Sequence, residues 1–173
     1  MLISETLAKA FSQQVSREFG ASVQYVMLAA YFEREALPQL AAKFYVQAEE
    51  EKMHAMKIAH YVTEAGGLLE IPPVPAGKAT FASAAEAVQL ALDWELAVTK
   101  QINDLVGLAM KENDNLAQIF LQWFVNEQLE EVTSMDTLLR TIKRAGDNLL
   151  LVEDFVVRQS KSGGSASRPA AGE

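Results

Sequence analysis

The chain has 173 residues, 50% of them hydrophobic, with a net charge of -8 at pH 7 and no cysteine. This length and composition suit a single folded domain with a sizeable core and exclude a wholly disordered protein. The lack of cysteine excludes disulfides, thiolate metal sites and cysteine catalysis, and the acidity argues against a nucleic-acid partner.

The amino terminus carries no basic segment followed by an apolar run, so the sequence predicts no secretory signal peptide. No stretch is long and apolar enough to cross a lipid bilayer. We therefore expect no membrane partner and a cytoplasmic location.

Four long segments show the apolar spacing of amphipathic helices. In chain order they cover residues 4–34, 38–66, 83–112 and 115–144. Gly66-Gly67 is typical of a helix end, and Ser83-x-x-Glu86 is a capping box that opens the third helix. Gly146 ends the fourth helix.

A short fifth helix is predicted after Asp147, which can serve as its N-cap, and it continues to about Arg158. From residue 160 onward the sequence is small and polar, which predicts a disordered tail. The sequence therefore divides into one domain, residues 1–159, and a tail, residues 160–173.

The connection between the second and third helices, residues 67–82, is unusually long and has no helical pattern. An extended chain of about 16 residues reaches about 53 Å, whereas the second helix is about 42 Å long. The segment can therefore run the full length of the bundle, and its three prolines favour extended backbone. We predict an all-α four-helix bundle with one long crossover and a short fifth helix.

The core-facing positions of all four helices are mostly apolar, with Gln14 and Gln47 as polar positions toward one end. Near mid-length the core-facing residues are instead Glu18, Glu51 with His54, Glu95, and Gln128 with Glu131. Counting residues from the helix turns places these six side chains at one level of the bundle. Glu51 and His54 are three residues apart and point the same way from their helix.

Four buried carboxylates without a compensating charge would destabilise the core, and the core-facing positions hold no lysine or arginine. Two divalent cations would balance the four negative charges. Carboxylates with one imidazole favour iron, manganese or zinc over magnesium. The pattern therefore predicts a two-metal carboxylate site.

These residues resemble the bacterial non-haem ferritins over positions 4–158. The strongest marks are Glu18 with Tyr25, the motif Glu51-Lys-Met-His54, Glu95, and the segment from Gln122 to Glu131. The resemblance implies a ferritin-like fold, oxidation of Fe(II) by O2 or peroxide, and a homo-oligomeric shell of 24 subunits that stores ferric mineral.

By the same resemblance, one iron would bind Glu18, Glu51 and His54, and a second would bind Glu51, Glu95 and Glu131 with Gln128 nearby. A third, weaker iron site would use Glu50, Glu127, Glu130 and Glu131. Tyr25 matches the tyrosine beside the centre, and Trp123 matches an aromatic neighbour. The fifth helix would be buried at a four-fold axis of the shell.

Two differences separate the sequence from the bacterioferritins. Bacterioferritins carry a Glu-x-x-His motif on the fourth helix as well as on the second. Here the fourth helix carries Gln128 and Glu131 instead. Bacterioferritins bind haem through a methionine directly after the metal-binding glutamate of the second helix, and Lys52 fills that place. We therefore predict no haem.

Other interpretations remain open at this stage. The buried polar residues could form a hydrogen-bonded core, which is the interpretation favoured for Gln14 and Gln47. A di-metal oxidase acting on an organic substrate would need a pocket beside the metals, and a purely structural shell would need no chemistry at all.

Overall fold

A computed structural model describes residues 2–163, which form five helices and contain no strand. The helices are α1 (Glu5–Arg34), α2 (Pro38–Glu64), α3 (Ala84–Lys111), α4 (Asn115–Ala145) and α5 (Leu150–Gly163). The predicted all-α fold is confirmed, with boundaries within a few residues for α1 to α4. None of the described helices combines the length and hydropathy that a membrane span needs.

Side chains cap the first, third and fourth helices. Ser4, Ser83 and Asp114 accept hydrogen bonds from backbone N–H groups three residues later, over 3.0, 3.1 and 2.9 Å. Each bond satisfies a donor that the first helical turn leaves free. The capping box of α3 differs in one detail, because Glu86 accepts from the N–H of Ala82 and not of Ser83.

The crossover between α2 and α3 lies along α1 and is tied to it by polar side chains. Its contacts advance together along both segments: Glu70 N to Ser12 Oγ (3.2 Å), Ser16 Oγ to Pro73 O (3.0 Å), and Gln24 Nε2 to Lys78 O (2.9 Å). The segment therefore runs parallel to α1 from one end of the bundle to the other, as its length predicted.

Gly20 lies where the crossover packs closely against α1. A Cβ atom added at this position would lie 3.0 Å from Cδ of Pro75. Glycine costs about 1 kcal/mol in a helix relative to alanine. The close approach of the proline ring gives a structural reason for accepting that cost in the middle of α1.

The apolar core consists of two clusters, one toward each end of the bundle. One contains Phe32, Phe44 and Met135, and the other contains Phe11, Ile58 and Phe124. Between them lies the level of the predicted carboxylates. The polar residues therefore form a layer across the bundle, with apolar packing on both sides.

Helix α5 packs against α2 and α4 and buries Val152 and Val156 in the first cluster. The predicted end of α5 near Arg158 was wrong, because the helix continues to Gly163. Residues 160–162 are Ser-Lys-Ser, which can continue a helical turn, and the first glycine comes only at 163. The rest of the predicted tail, 164–173, lies outside the described residues.

Candidate metal centre

The six predicted side chains are brought together in the polar layer and are almost completely buried. Glu18, Glu51, His54 and Glu95 are each 1% exposed, Gln128 is 3% exposed and Glu131 is 6% exposed. They come from α1, α2, α3 and α4. The agreement in level that residue counting predicted is thus present in the folded chain.

Glu18, Glu51 and His54 form the tightest group. Each offers one ligand atom, and these atoms all lie within 4.8 Å of one another. His54 Nδ1 is 3.3 Å from Glu51 Oε2, as expected for residues three apart on one helix. A single cation can contact all three side chains after small rotations.

The other half of the layer is organised around Glu95. The hydroxyl of Tyr25 donates to Glu95 Oε1, and Gln128 Nε2 lies 3.4 Å from Glu95 Oε2. Thr99 Oγ1 lies 2.9 Å from Gln128 Oε1, within hydrogen-bond distance of that amide oxygen. Glu131 Oε2 accepts from Gln47 Nε2 over 2.8 Å.

Several atoms of the layer have no hydrogen-bond partner although they are buried. Among the described residues these include Glu18 Oε2, Glu51 Oε1 and His54 Nε2. Leaving such atoms unpaired costs about 1–3 kcal/mol each. All three belong to the group that a cation could join, so the unpaired atoms fit a metal site better than a completed polar core.

Burial strongly favours the protonated form of these carboxyl groups. It raises the pKa of Glu18 to about 8, with the neighbouring Glu51 adding to the effect. Burial and nearby carboxylates raise the pKa of Glu131 to about 7, and burial raises the pKa of Glu95 to about 7 despite the Tyr25 hydrogen bond. The pKa of Glu51 is also raised well above its usual value, mainly by burial.

These raised pKa values mean that the layer lacks positive charge and would take up protons in its place. Two divalent cations would replace those protons and let the carboxylates ionise. Four carboxylates and one imidazole form a hard donor set with a little nitrogen, which suits iron or manganese.

Gln14 and Gln47 supply hydrogen-bond donors to two carboxyl groups of the layer. Gln14 Nε2 donates to Glu18 Oε1 over 2.8 Å, and Gln47 holds Glu131. Their predicted role in buried hydrogen bonding is therefore observed. Neither amide supplies charge, so the electrostatic deficit remains.

Thr99 was missed by the sequence analysis. Its hydroxyl is part-buried, and Oγ1 also lies 2.8 Å from the carbonyl oxygen of Glu95. A hydroxyl has one proton, so it donates to only one of these two acceptors at a time. Its position four residues after Glu95 on one helix face is the signal that could have identified it.

The residues of the predicted third iron site lie beside this layer and are more exposed. Glu50 is half-buried, and Glu127 Oε1 is 3.9 Å from His54 Nε2. Glu130 is exposed, whereas Glu131 is buried in the layer itself. The structure therefore brings Glu127 next to His54 and leaves Glu130 on the solvent side of α4.

Aromatic rings cover one side of His54. The ring of Trp123 lies 5.3 Å from the imidazole and meets it edge to face, and Phe124 lies at 5.9 Å. Lys57 sits over the outer face of Trp123, 4.0 Å from the ring centre. The aromatic neighbour predicted from the sequence thus contacts the imidazole directly.

Comparison with known proteins finds a matching family over most of the chain. The family model of the ferritin-like domain matches residues 8–145. The chain belongs to the ferritin family. The "Ferritin BfrB" of Mycolicibacterium smegmatis is similar to it, with 44% identity over 162 residues that cover 92% of this chain and 90% of the relative.

A second ferritin relative is more distant in sequence. The "Bacterial non-heme ferritin" of Staphylococcus aureus is 33% identical over 147 residues, covering 85% of this chain and 89% of that protein. Among solved ferritin structures, an open-pore ferritin from the archaeon Archaeoglobus fulgidus superposes with a TM-score of 0.87 and 32% identity, over 90% of this chain and 96% of the other. The ferritin-like bundle predicted from the sequence is therefore confirmed.

Proposed function

We propose that the protein stores iron and that its polar layer is a di-iron centre that oxidises Fe(II) to Fe(III). The observation that carries this proposal is the set of unpaired, buried ligand atoms on Glu18, Glu51 and His54. In a member of the ferritin family, such a group inside the bundle is suited to bind iron as the substrate.

In this proposal one Fe(II) binds Glu18, Glu51 and His54. The second binds Glu51, Glu95 and Glu131, with the amide of Gln128 nearby. Glu51 would serve both ions, which keeps them close enough to deliver two electrons to one oxidant, O2 or peroxide. The oxygen-rich ligands stabilise Fe(III) over Fe(II) and so favour oxidation.

Tyr25 is proposed as a catalytic residue because its hydroxyl contacts Glu95, a ligand of the second iron. Glu50, Glu127, Glu130 and Glu131 are proposed as a third site that receives iron from the centre. The exposure of Glu130 suits a position between the buried pair and the solvent.

The remaining parts of the proposal concern assembly and haem. The subunits would form a 24-subunit shell in the cytoplasm, with ferric mineral deposited inside it. No haem is expected, because Lys52 occupies the place of the haem-binding methionine, and its exposed ammonium instead lies 3.3 Å from Glu49.

Neither rival function gains support from the described residues. An oxidase acting on an organic substrate needs a pocket that opens on the metals. A cavity of about 490 Å³ between α2 and α5 reaches Gln47 and Glu50, but Glu18, Glu51, His54, Glu95 and Glu131 do not line it. A purely structural shell gives no account of the unpaired ligand atoms.

The test is aerobic Fe(II) oxidation by a Glu51→Ala, His54→Ala double variant, followed by stopped-flow absorption. Oxidation is expected to fall to near the rate of iron in buffer alone. The matched control is Glu49→Ala with His60→Ala, which removes the same two residue types from exposed positions of α2. A ligand double variant that oxidises iron as fast as this control would refute the proposal.

A further inference from the structure

Gln14 is a fully buried amide on α1, one helical turn before Glu18. Its Nε2 donates to Glu18 Oε1 over 2.8 Å. The proposed chemistry gives this side chain no part as a ligand. What it does must therefore follow from its effect on the Glu18 carboxylate.

The hydrogen bond makes the two oxygens of Glu18 unequal. Gln14 occupies Oε1, whereas Oε2 is buried without a hydrogen-bond partner among the described residues. Glu18 also lies within ligand distance of the Glu51 and His54 group. The carboxylate is thus arranged to offer one oxygen to a cation and to keep the other on the amide.

An amide can present either its NH2 group or its oxygen to a neighbour, so one further contact is needed to fix its orientation. Arg17 supplies this contact, because its Nη1 lies 3.3 Å from Gln14 Oε1. A guanidinium group can only donate hydrogen bonds. It therefore holds the oxygen of Gln14 toward itself and the NH2 group toward Glu18.

We propose that Arg17 and Gln14 are a positioning pair for Glu18. Arg17 orients the amide, the amide holds Oε1, and Oε2 is left as a single-oxygen ligand for the metal ion. The inference rests on the proposed metal centre and adds two residues to it that bind no metal. Arg17 is only half-buried, so its positive charge acts on the layer through Gln14 without entering the core.

The experiment uses Co(II) alone as the probe, because its visible absorption reports coordination geometry without iron oxidation. Metal-free full-length protein is titrated as wild type, Gln14→Leu and Arg17→Met. Gln14→Leu is expected to bind about 10- to 100-fold more weakly, the usual loss when a residue that orients a metal ligand is removed. Arg17→Met should lose about 2- to 10-fold, and Arg17→Lys, which keeps a donor, should recover part of that loss.

Two matched controls lie on the same helix. Gln13→Leu removes an exposed amide next to Gln14, and Lys9→Met removes an exposed positive charge. Both should bind Co(II) about as tightly as wild type, within about twofold. Circular dichroism and shell mass establish that every variant is folded and assembled.

Either member of the pair binding Co(II) as tightly as its control overturns the inference. If Gln14→Leu does not fold, Arg17→Met decides alone, because its side chain lies at the edge of the core. A Co(II)-soaked crystal of the wild type should show Oε2 on the metal and Oε1 on Gln14, and both oxygens on the metal would also overturn it. A wild type that binds no Co(II) at Glu18 would instead contradict the metal centre itself.

Discussion

At the scale of single residues, burial sets the protonation of the metal-free centre. Glu18 has a pKa of about 8 in the fold against an ordinary value of 4.5. Between these pH values the folded protein holds a proton that the unfolded chain has released. The stability of the metal-free protein therefore falls as pH rises through this range, and Glu95 and Glu131, with pKa values of about 7, act in the same direction.

The corresponding prediction is that the metal-free protein unfolds at a lower temperature at about pH 8 than at about pH 5, a loss of several kcal/mol of stability. Replacing the ionisable group by Glu18→Gln should weaken this dependence. Differential scanning calorimetry on chelator-treated protein measures it. A melting temperature that is higher at about pH 8 than at about pH 5 would contradict the raised pKa values of these buried carboxyl groups.

Tyr25 provides a second prediction at this scale. Tyr25→Phe keeps the ring in the core but removes the hydroxyl that orients Glu95, so Fe(II) oxidation should slow by about 10-fold while the fold is retained. The control is Tyr45→Phe, which removes an exposed hydroxyl bonded to Glu33. Equal oxidation rates for the two variants in stopped-flow measurements would remove Tyr25 from the mechanism.

At the scale of the helices, a side chain of α5 caps the amino terminus of α2. Helix α2 begins at Pro38 without a side-chain cap from its own N-cap residue, Leu37. Glu153 of α5 fills that role by accepting from the N–H groups of Gln39 and Leu40 over 2.9 and 2.8 Å. A buried carboxylate at a helix amino terminus is stabilised by both N–H groups and the helix dipole.

We therefore predict that Glu153→Ala destabilises the protein by about 1 to 2 kcal/mol, because it frees two backbone donors of α2, one buried and one part-buried. Asp154→Ala is the matched control, since it removes the adjacent exposed carboxylate, which pairs with Arg158 on its own helix. Thermal unfolding compares the two. A Glu153→Ala protein as stable as Asp154→Ala would mean that the start of α2 does not depend on this cap.

The cap from Glu153 also shows how far the sequence predicts the structure. The helices, their local caps and the crossover follow from periodicity and from residues a few positions apart, such as Ser83 and Glu86. The contact between Glu153 and Leu40 joins residues 113 positions apart, and no local pattern indicates it. The common level of the carboxylates was predictable because their distances from the turns between helices can be counted in residues. The contact between Thr99 and Gln128 was not predictable, because it depends on side-chain rotamers.

At the scale of the whole molecule, α5 has a buried face and an exposed apolar face. Val152 and Val156 are buried against the bundle, but Leu150 and Leu151 are 73% and 58% exposed in the single subunit. Apolar side chains grouped in this way favour contact with another protein surface. Under the proposed function, that surface belongs to neighbouring subunits of the shell.

Truncation after Asp147 is accordingly predicted to prevent formation of complete shells. The change also removes the Glu153 cap, so Leu150→Ser with Leu151→Ser is the more selective variant, since it leaves the buried face of α5 intact. Analytical ultracentrifugation should show smaller assemblies for both proteins. Complete shells formed by the truncated protein would show that α5 is not required for assembly.

The polar layer is proposed to bind two iron ions through Glu18, Glu51, His54, Glu95 and Glu131. Iron binding at these positions can be measured by anomalous scattering at the iron edge from an iron-soaked crystal. We expect one peak bonded to Glu18, Glu51 and His54 and a second bonded to Glu51, Glu95 and Glu131. A map with no iron in this layer, or with iron only on exposed carboxylates, would contradict it.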